Sequence, residues 1–260
     1  MAFPALFFPS AQRFALAASS IRSVWHHAAG LALPNPCVLC GNLSHKRLCD
    51  ACDAAYWNEV RLRCVVCAMP LSGFARARSA RYRCGECTSA PPAFDATIAL
   101  ADYRAPLDAL ALGLKFRARL MLAHEFGERL ARAAADSLAP SQWPDVIAPV
   151  PLARRRLVER GYNQAWEIAK PLAAALRVRA NPALIRRIVD TVPQSRLDLD
   201  ARRANVGRAF AAGKPVLGQH VAIVDDVMTS GATLDALART LKAAGAARIT
   251  NFVALRTPKN

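Results

Sequence analysis

The cysteines constrain this chain more than any other feature of its sequence. All eight lie between positions 37 and 87, and they form four C-x-x-C pairs. Two thiolates separated by two residues can bind one ion from the same tight turn, and two such pairs complete a tetrahedral shell of four sulfur atoms around zinc. The pattern therefore predicts two structural Zn²⁺ sites, with the ligands Cys37, Cys40, Cys49, Cys52, Cys64, Cys67, Cys84 and Cys87.

The spacing alone leaves two ways of sharing the ions between the pairs. In a sequential arrangement the first four cysteines bind one ion and the last four bind the other, whereas an interleaved arrangement joins the first pair to the third. A disulfide framework is less favoured, because the first eight residues carry no positive charge and two prolines interrupt the apolar start expected of a secretory signal. A redox C-x-x-C motif would need only one pair.

The sequence after the cysteines alternates apolar, strand-like segments with amphipathic helical ones. Such alternation predicts an α/β fold, with a mainly parallel sheet flanked by helices. We expect three regions: an N-terminal helical segment (1–35), a small N-terminal double zinc-ribbon domain (36–90) and the α/β domain (91–260). The predicted strands are 94–103, 145–150, 183–188, 221–226 and 247–255, and the predicted helices lie within 105–138, 163–177 and 231–244.

The segment VAIVDDVMTSGAT (221–233) places two acids and a small, hydroxyl-rich loop directly after a buried strand. Ligands of parallel sheets bind beyond the carboxyl ends of the strands. The N-H groups at the start of the following helix favour a phosphate, and Asp225 and Asp226 can accept hydrogen bonds from ribose hydroxyls. The segment therefore predicts a site for a sugar 5-phosphate.

Three alternatives compete with this interpretation. A Walker B strand would need a G-x-x-x-x-G-K-[ST] loop, and a dinucleotide site would need G-x-G-x-x-G, but the sequence contains neither. A helix that is capped at its N-terminus and carries two solvated acids is the third alternative.

The formal charge of +16 favours a polyanionic ligand. No run near 18 apolar residues occurs, so we expect no membrane span and a cytoplasmic protein.

The charge is concentrated between residues 150 and 210, where 13 basic and 5 acidic side chains give a net charge of +8. Four arginines follow the 145–150 strand, in a segment expected to be a loop: Arg154, Arg155, Arg156 and Arg160. Arginines there can bind a diphosphate or follow a DNA backbone. A further candidate group, suited to stacking on a base or hydrogen-bonding to it, comprises Tyr162, Asn163 and Gln164.

Residues 221–233 resemble the phosphoribosyl diphosphate (PRPP) signature of type I phosphoribosyltransferases. Together with the cysteine pairs, Tyr103, Lys115, PVPLARRRLVERGYNQA (149–165) and PQSRLDLDARRANVGRAF (193–210), they resemble the ComF family of competence-associated proteins, which have a double zinc ribbon and a type I phosphoribosyltransferase-like domain. The resemblance implies PRPP binding by Asp225, Asp226, Val227, Met228, Thr229, Ser230, Gly231, Ala232 and Thr233. It adds Lys115 to the diphosphate or DNA candidates.

The resemblance also implies a role in DNA uptake during natural transformation. The expected ligands are PRPP with Mg²⁺ and single-stranded DNA, and the expected protein partners are competence proteins such as a DNA-uptake helicase or a recombination loader. The alternative is a PRPP-dependent phosphoribosyltransferase of nucleotide or base metabolism without a DNA role. Because no residue stands out as a general base, the sequence leaves catalysis open.

Overall fold

The computed structural model describes residues 34–57, 62–73, 81–188 and 209–259. The helix expected before residue 34 and most of the 193–210 segment lie outside the described residues. The chain divides into two compact units, Met1–Ala55 and Tyr56–Asn260. In the first unit, strand β1 (Asn35–Pro36) pairs antiparallel with β2 (Leu43–Ser44), and helix α1 (Asp50–Tyr56) follows.

The second unit contains the predicted alternation of strands and helices. In chain order its elements are α2 (Gly85–Ser89), β3 (Ala96–Asp102), α3 (Asp108–Phe116), α4 (Met121–Ser137), a 3-10 turn (Pro140–Gln142), β4 (Val146–Pro149), α5 (Arg154–Arg160), α6 (Gln164–Leu176), β5 (Arg179–Ala180), β6 (Ile185–Arg187), β7 (Phe210–Ala212), β8 (His220–Met228), α7 (Ala232–Ala243) and β9 (Arg248–Arg256).

Five of these strands form one sheet in the order β3-β9-β8-β4-β5, and every neighbouring pair is parallel. The predicted fold class, a mainly parallel sheet flanked by helices, is therefore confirmed. Strands β4, β8 and β9 are almost entirely buried, because helices cover both faces of a parallel sheet and exclude water from its centre. In β8 the four residues before the acid pair are fully buried.

Two segments differ from the sequence prediction. The 183–188 strand is β6, which pairs antiparallel with β7 instead of joining the parallel sheet. Residues expected to form a loop make the short helix α5, which ends at Gly161 in the left-handed conformation (φ +80°). This helix buries none of its residues, so it lacks the apolar periodicity by which a helix is recognised in sequence.

The second cysteine group is part of the core of the second unit. Cys64, Cys67 and Cys87 belong to the same buried apolar cluster as Val221 and Val253 of the sheet.

Within the described residues, every helix is too short or too polar to cross a membrane.

Candidate metal centres and ligand cavity

The eight cysteines form two separate groups of four. In each group the sulfur atoms all lie within 4.8 Å of one another, and the groups are residues 37 to 52 and residues 64 to 87. The Sγ atoms of Cys40 and Cys49 are 3.7 Å apart, and those of Cys67 and Cys84 are 3.6 Å apart. A tetrahedron with Zn–S bonds of about 2.3 Å has edges of about 3.8 Å. Both groups therefore fit a four-coordinate metal ion, and the pairing is sequential.

The first C-x-x-C pair of each group has the same type of backbone turn. The N-H of Gly41 donates to the carbonyl of Cys37 at 2.9 Å, and the N-H of Ala68 donates to that of Cys64 at 2.8 Å. Both donor residues have left-handed backbone angles, with φ of +78° and +55° respectively. The two groups are therefore built on one repeated local structure.

Backbone hydrogen bonds prepare one thiolate in each group. Burial by itself raises the pKa of Cys37 and of Cys64. In each case backbone N-H groups that point at the sulfur outweigh burial, and they lower the pKa to about 6 for Cys37 and about 7 for Cys64. Burial instead raises the pKa of Cys52 to about 12 and of Cys67 to about 11. Because metal ions bind thiolates rather than thiols, Cys37 and Cys64 are the ligands of their groups that deprotonate most readily.

A cavity of about 720 Å³ opens at the carboxyl ends of β4 and β8. Its wall combines the acid pair, the start of α7, the helix α5 and the end of α3. The lining residues are Lys115, Phe116, Ala118, Val150, Pro151, Leu152, Ala153, Arg156, Glu159, Arg160, Tyr162, Gln164, Arg187, Asp225, Asp226, Val227 and Thr233.

The buried carboxylate of Asp226 is compensated by two neighbours. The Nζ of Lys115 lies 2.9 Å from Asp226 Oδ2. The side-chain amide of Gln164 donates to Oδ1 at 3.5 Å and accepts in turn from the guanidinium of Arg160. This chain of contacts holds side chains from α3, α5 and α6 against the end of β8.

The neighbouring Asp225 has a different environment. It is half-buried on the cavity wall, and its Oδ1 accepts from the N-H of Asp226 at 2.9 Å. Burial, followed by the negative charge of Asp226, raises the pKa of Asp225 well above its ordinary value, although Lys115 opposes the shift. Asp225 is therefore the carboxylate that gains most from a hydrogen-bond donor or a cation in the cavity.

The loop between β8 and α7 turns at Gly231, where φ is +83°. A Cβ at this position would lie 2.6 Å from the Cε of Met228, a residue whose side chain is buried in the core. Thr229 and Ser230 are exposed, whereas Thr233 lines the cavity. Of the predicted PRPP residues, the cavity is thus lined by Asp225, Asp226, Val227 and Thr233.

The predicted basic candidates separate into two sets. Arg156 and Arg160 line the cavity, and the guanidinium of Arg160 lies 5.7 Å from the ring centroid of Phe116. Arg154 and Arg155 are exposed and are not among the lining residues. The Nε of Arg155 also pairs with Glu159 Oε1 at 2.7 Å.

Tyr162 and Asn163 anchor the connection from α5 to α6. The hydroxyl of Tyr162 donates to the carbonyl of Leu114. The amide of Asn163 donates to the carbonyl of Val150 at 3.0 Å, and its Oδ1 caps α6. Of the two aromatic side chains that line the cavity, Phe116 is the more exposed, at 72%, whereas Tyr162 is half-buried.

Four charged or aromatic residues that the fold brings to this region were not predicted as site residues: Phe116, Glu159, Arg187 and Arg256. Phe116 directly follows the predicted Lys115, and Glu159 lies within the predicted basic segment, so both had a local signal. Arg187 lines the cavity from β6, which pairs antiparallel with β7 outside the parallel sheet. Arg256 is a buried arginine at the end of β9, and no local pattern distinguishes it from a surface arginine.

The chain is similar to several known proteins. Residues 164–259 match the model of the phosphoribosyl transferase domain. The chain is 34% identical to the DNA utilization protein YhgH of Salmonella typhimurium, over 87% of this chain and 99% of that protein. It is 30% identical to competence protein F of Haemophilus influenzae, over 82% of this chain and 93% of that protein. Among solved structures, it is similar to adenine phosphoribosyltransferase from Thermoanaerobacter pseudethanolicus. The identity is 21%, the match covers 54% of this chain and 83% of that one, and the TM-score is 0.35.

Proposed function

The chain belongs to the ComF family, which includes DNA utilization protein YhgH and competence protein F, and on that basis we propose that it binds PRPP and single-stranded DNA during DNA uptake. The observation that carries the PRPP half is a single cavity in which an acid pair, the start of a helix and several arginines meet. Its volume of about 720 Å³ lies in the usual range for a site that encloses a small ligand.

Each part of PRPP has a complementary group in the cavity. The loop of residues 229 to 233 receives the 5-phosphate, because the N-H groups at the start of α7 favour an anion. Asp225 and Asp226 accept hydrogen bonds from the ribose hydroxyls. Arg156 and Arg160 bind the diphosphate, which a planar guanidinium can contact through two parallel hydrogen bonds.

Mg²⁺ accompanies PRPP in this proposal, and it supplies positive charge to the diphosphate. The carboxylates of Glu159 and Asp225 line the same cavity as the arginines, so oxygen donors of the kind that Mg²⁺ prefers are available. If transfer occurs, the bond from C1 to the diphosphate oxygen breaks with its electron pair on the diphosphate, and the acceptor forms the new bond to C1. The chain's own groups then act by positioning and by charge.

Calorimetric titration of the full chain with PRPP and Mg²⁺ tests the PRPP site. Replacing Asp225 and Asp226 together with Asn removes two charged acceptors, each of which contributes roughly 1.5 to 3 kcal/mol. We expect the affinity to fall by about 100-fold or more. Asp136→Asn is the matched control, because Asp136 is exposed on α4 and outside the cavity lining. Unchanged affinity in the folded double variant would reject the ribose assignment.

The alternative function, PRPP-dependent transfer in nucleotide or base metabolism without a DNA role, is favoured by the match to the phosphoribosyl transferase domain. Diphosphate release from PRPP in the presence of candidate bases, measured on the preparation used for DNA binding, discriminates the two functions. Turnover without DNA binding would establish the alternative.

Single-stranded DNA binding is proposed for the exposed arginines of α5. Replacing Arg154 and Arg155 with Ala should lower the slope of log affinity against log salt by up to about 1.4, at roughly 0.7 per phosphate contact. PRPP affinity should be unchanged, because these side chains lie outside the cavity lining. Replacing Arg156 and Arg160 should instead weaken PRPP binding.

The exposed ring of Phe116 is the stacking candidate beside these arginines. Phe116→Ala should weaken DNA binding by about 1 to 3 kcal/mol and leave the salt slope nearly unchanged, because stacking releases no counterions. Tyr162→Phe is the control, because it removes only the hydroxyl that donates to the carbonyl of Leu114. This variant should bind DNA with the affinity of the wild type. Wild-type salt slopes in both arginine double variants would place the DNA surface elsewhere.

We also infer that the ion bound by each cysteine group is Zn²⁺. Four thiolates in a tetrahedral arrangement form a closed structural zinc site, with no position left for a substrate or water. The sulfur-to-sulfur distances of 3.6 and 3.7 Å support this assignment.

A further inference from the structure

Arg256 connects the second cysteine group to the loop that follows β8. Its side chain is buried, with only 2% exposed, and the guanidinium donates to four backbone carbonyls. The Nε donates to the carbonyl of Cys67 at 2.9 Å. One terminal nitrogen shares its two N-H bonds among the carbonyls of Met228 at 3.0 Å, Thr257 at 2.7 Å and Thr229. One guanidinium thus binds the backbone of a metal ligand and the backbone that leads into the loop.

The contacts with Met228 and Thr229 orient the loop. In a trans peptide unit the C=O and the N-H point in opposite directions. Because the two carbonyls point at Arg256, the N-H groups of Thr229 and Ser230, which share those peptide units, point away from it. An anion held by these N-H groups therefore lies on the side of the loop opposite to Arg256.

The contact with Cys67 makes this orientation sensitive to the metal. Cys67 is the second ligand of its pair, and the following residue, Ala68, has a left-handed backbone angle. An ion bound by the four sulfurs fixes this turn and the direction of the Cys67 carbonyl. Loss of the ion frees the turn, and Arg256 then loses one of the acceptors that hold its guanidinium in place.

We propose that Arg256 is a positioning residue that couples metal binding at the second cysteine group to anion binding by the loop of residues 229 to 233. The proposal rests on the PRPP site proposed above and adds a means by which the metal controls it. Coupling of two binding equilibria is reciprocal. The ion strengthens the binding of a 5-phosphate, and the 5-phosphate strengthens the retention of the ion by the same factor.

Arg63 provides a matched control for this role. It also joins the second cysteine group to the sheet, through Asp102 at 2.8 Å and the carbonyl of Ala68 at 3.1 Å. None of these contacts involves the loop after β8. A variant at Arg63 therefore tests whether any weakened attachment of the cysteine group has the same effect.

The experiment uses the full chain carrying Cys40→Ser and Cys49→Ser, which retains only the second metal group. The affinity for Zn²⁺ is measured by equilibrium competition with a chelator, with and without saturating ribose 5-phosphate. We expect ribose 5-phosphate to raise the Zn²⁺ affinity at least about 5-fold, the lower end of typical allosteric coupling. Arg256→Lys keeps the positive charge but not the planar set of N-H donors. In this variant ribose 5-phosphate should raise the Zn²⁺ affinity less than about 2-fold. Arg63→Lys should leave the wild-type factor unchanged.

Amide hydrogen exchange gives a second readout that needs no ligand. Removal of the metal should speed exchange at residues 229 to 233 by a larger factor than at β4 and β8, and Arg256→Lys should speed the same loop amides with the metal still bound. Equal coupling in the Arg256 and Arg63 variants, or equal acceleration of the loop and the sheet on metal removal, would overturn the proposal. If no form binds ribose 5-phosphate or PRPP, the proposed function fails, and the exchange data alone decide whether Arg256 links the metal to the loop.

Discussion

At the scale of single residues, two adjacent aspartates of one strand have different electrostatic environments. Asp226 is buried against Lys115 and Gln164, which compensate its charge. Asp225 is half-buried beside that charge, and the pKa of Asp225 is raised by burial and by Asp226. A carboxylate that is costly to ionise in the free protein suits a site whose ligand brings hydroxyl donors and a divalent cation.

Replacement of Asp225 with Asn should therefore stabilise the free protein at neutral pH. Because the folded-state pKa is raised, the native state resists ionisation, and the contribution of Asp225 to stability falls as pH rises from the unfolded-state pKa of about 3.9 through the folded-state value. We expect the Asn variant to have a higher Tm than the wild type at pH 7.5 and a smaller advantage at pH 4. Asp136→Asn is the exposed control. A Tm at pH 7.5 equal to or below that of the wild type would contradict the raised pKa.

At the scale of elements, the connection between β8 and α7 is the segment to which the proposed function assigns the 5-phosphate. The strand continues to Met228, and the helix begins at Ala232. Only three residues therefore make the turn. A Cβ at Gly231 would be strained by the left-handed backbone angle and would force the buried side chain of Met228 to shift.

Gly231→Ala should cost more stability than Gly218→Ala. Both glycines have left-handed angles, with φ of +83° and +67°. A Cβ at Gly218 meets no atom within 4 Å, so this substitution reports the conformational cost alone, about 1 kcal/mol. At Gly231 the contact with Met228 adds to it, for a total of about 2 to 3 kcal/mol. Denaturant unfolding measures both, and calorimetry should show at least about 10-fold weaker PRPP binding for Gly231→Ala alone. Equal stability losses would show that Met228 yields without cost.

At the scale of the whole molecule, the two metal groups share a local structure but belong to different compact units. The first lies in Met1–Ala55 and the second in Tyr56–Asn260. Because Cys64, Cys67 and Cys87 are members of the core cluster that contains the sheet, we expect an ion bound by this group to stabilise the fold of the phosphoribosyltransferase-like domain. The predicted division at residues 90 and 91 remains a prediction from the linker-like sequence.

Freshly purified protein should contain two zinc ions per chain by elemental analysis. Replacing Cys40 and Cys49 with Ser should remove one ion and leave the main thermal transition within about 2 °C of the wild type. Replacing Cys67 and Cys84 should also remove one ion, but it should lower that transition by more than about 5 °C, because structural zinc binding is coupled to folding. One ion or none in the wild type would reject the zinc assignment, and equal effects of the two double variants would reject the different roles of the two groups.

The sequence by itself determined the features whose information is local. The C-x-x-C spacing predicted two metal groups, because ligands on one turn need no distant partner to be recognised. The apolar run before Asp225 predicted a buried strand, and the alternation of elements predicted the parallel sheet. The family resemblance also followed from contiguous motifs, and the relatives confirm it.

Only the tertiary structure decided which side chains meet. Sequential sharing of the ions was one of two open arrangements until the eight sulfurs were placed in space. The stacking role of Tyr162 remains a prediction; the structure shows that its hydroxyl donates to the carbonyl of Leu114 and that the ring of Phe116 is more exposed. Arg256 donates to Cys67, which lies 189 positions earlier. Neither helical nor strand periodicity carries information over such a separation, because the contact exists only after β9 has taken its place between β3 and β8.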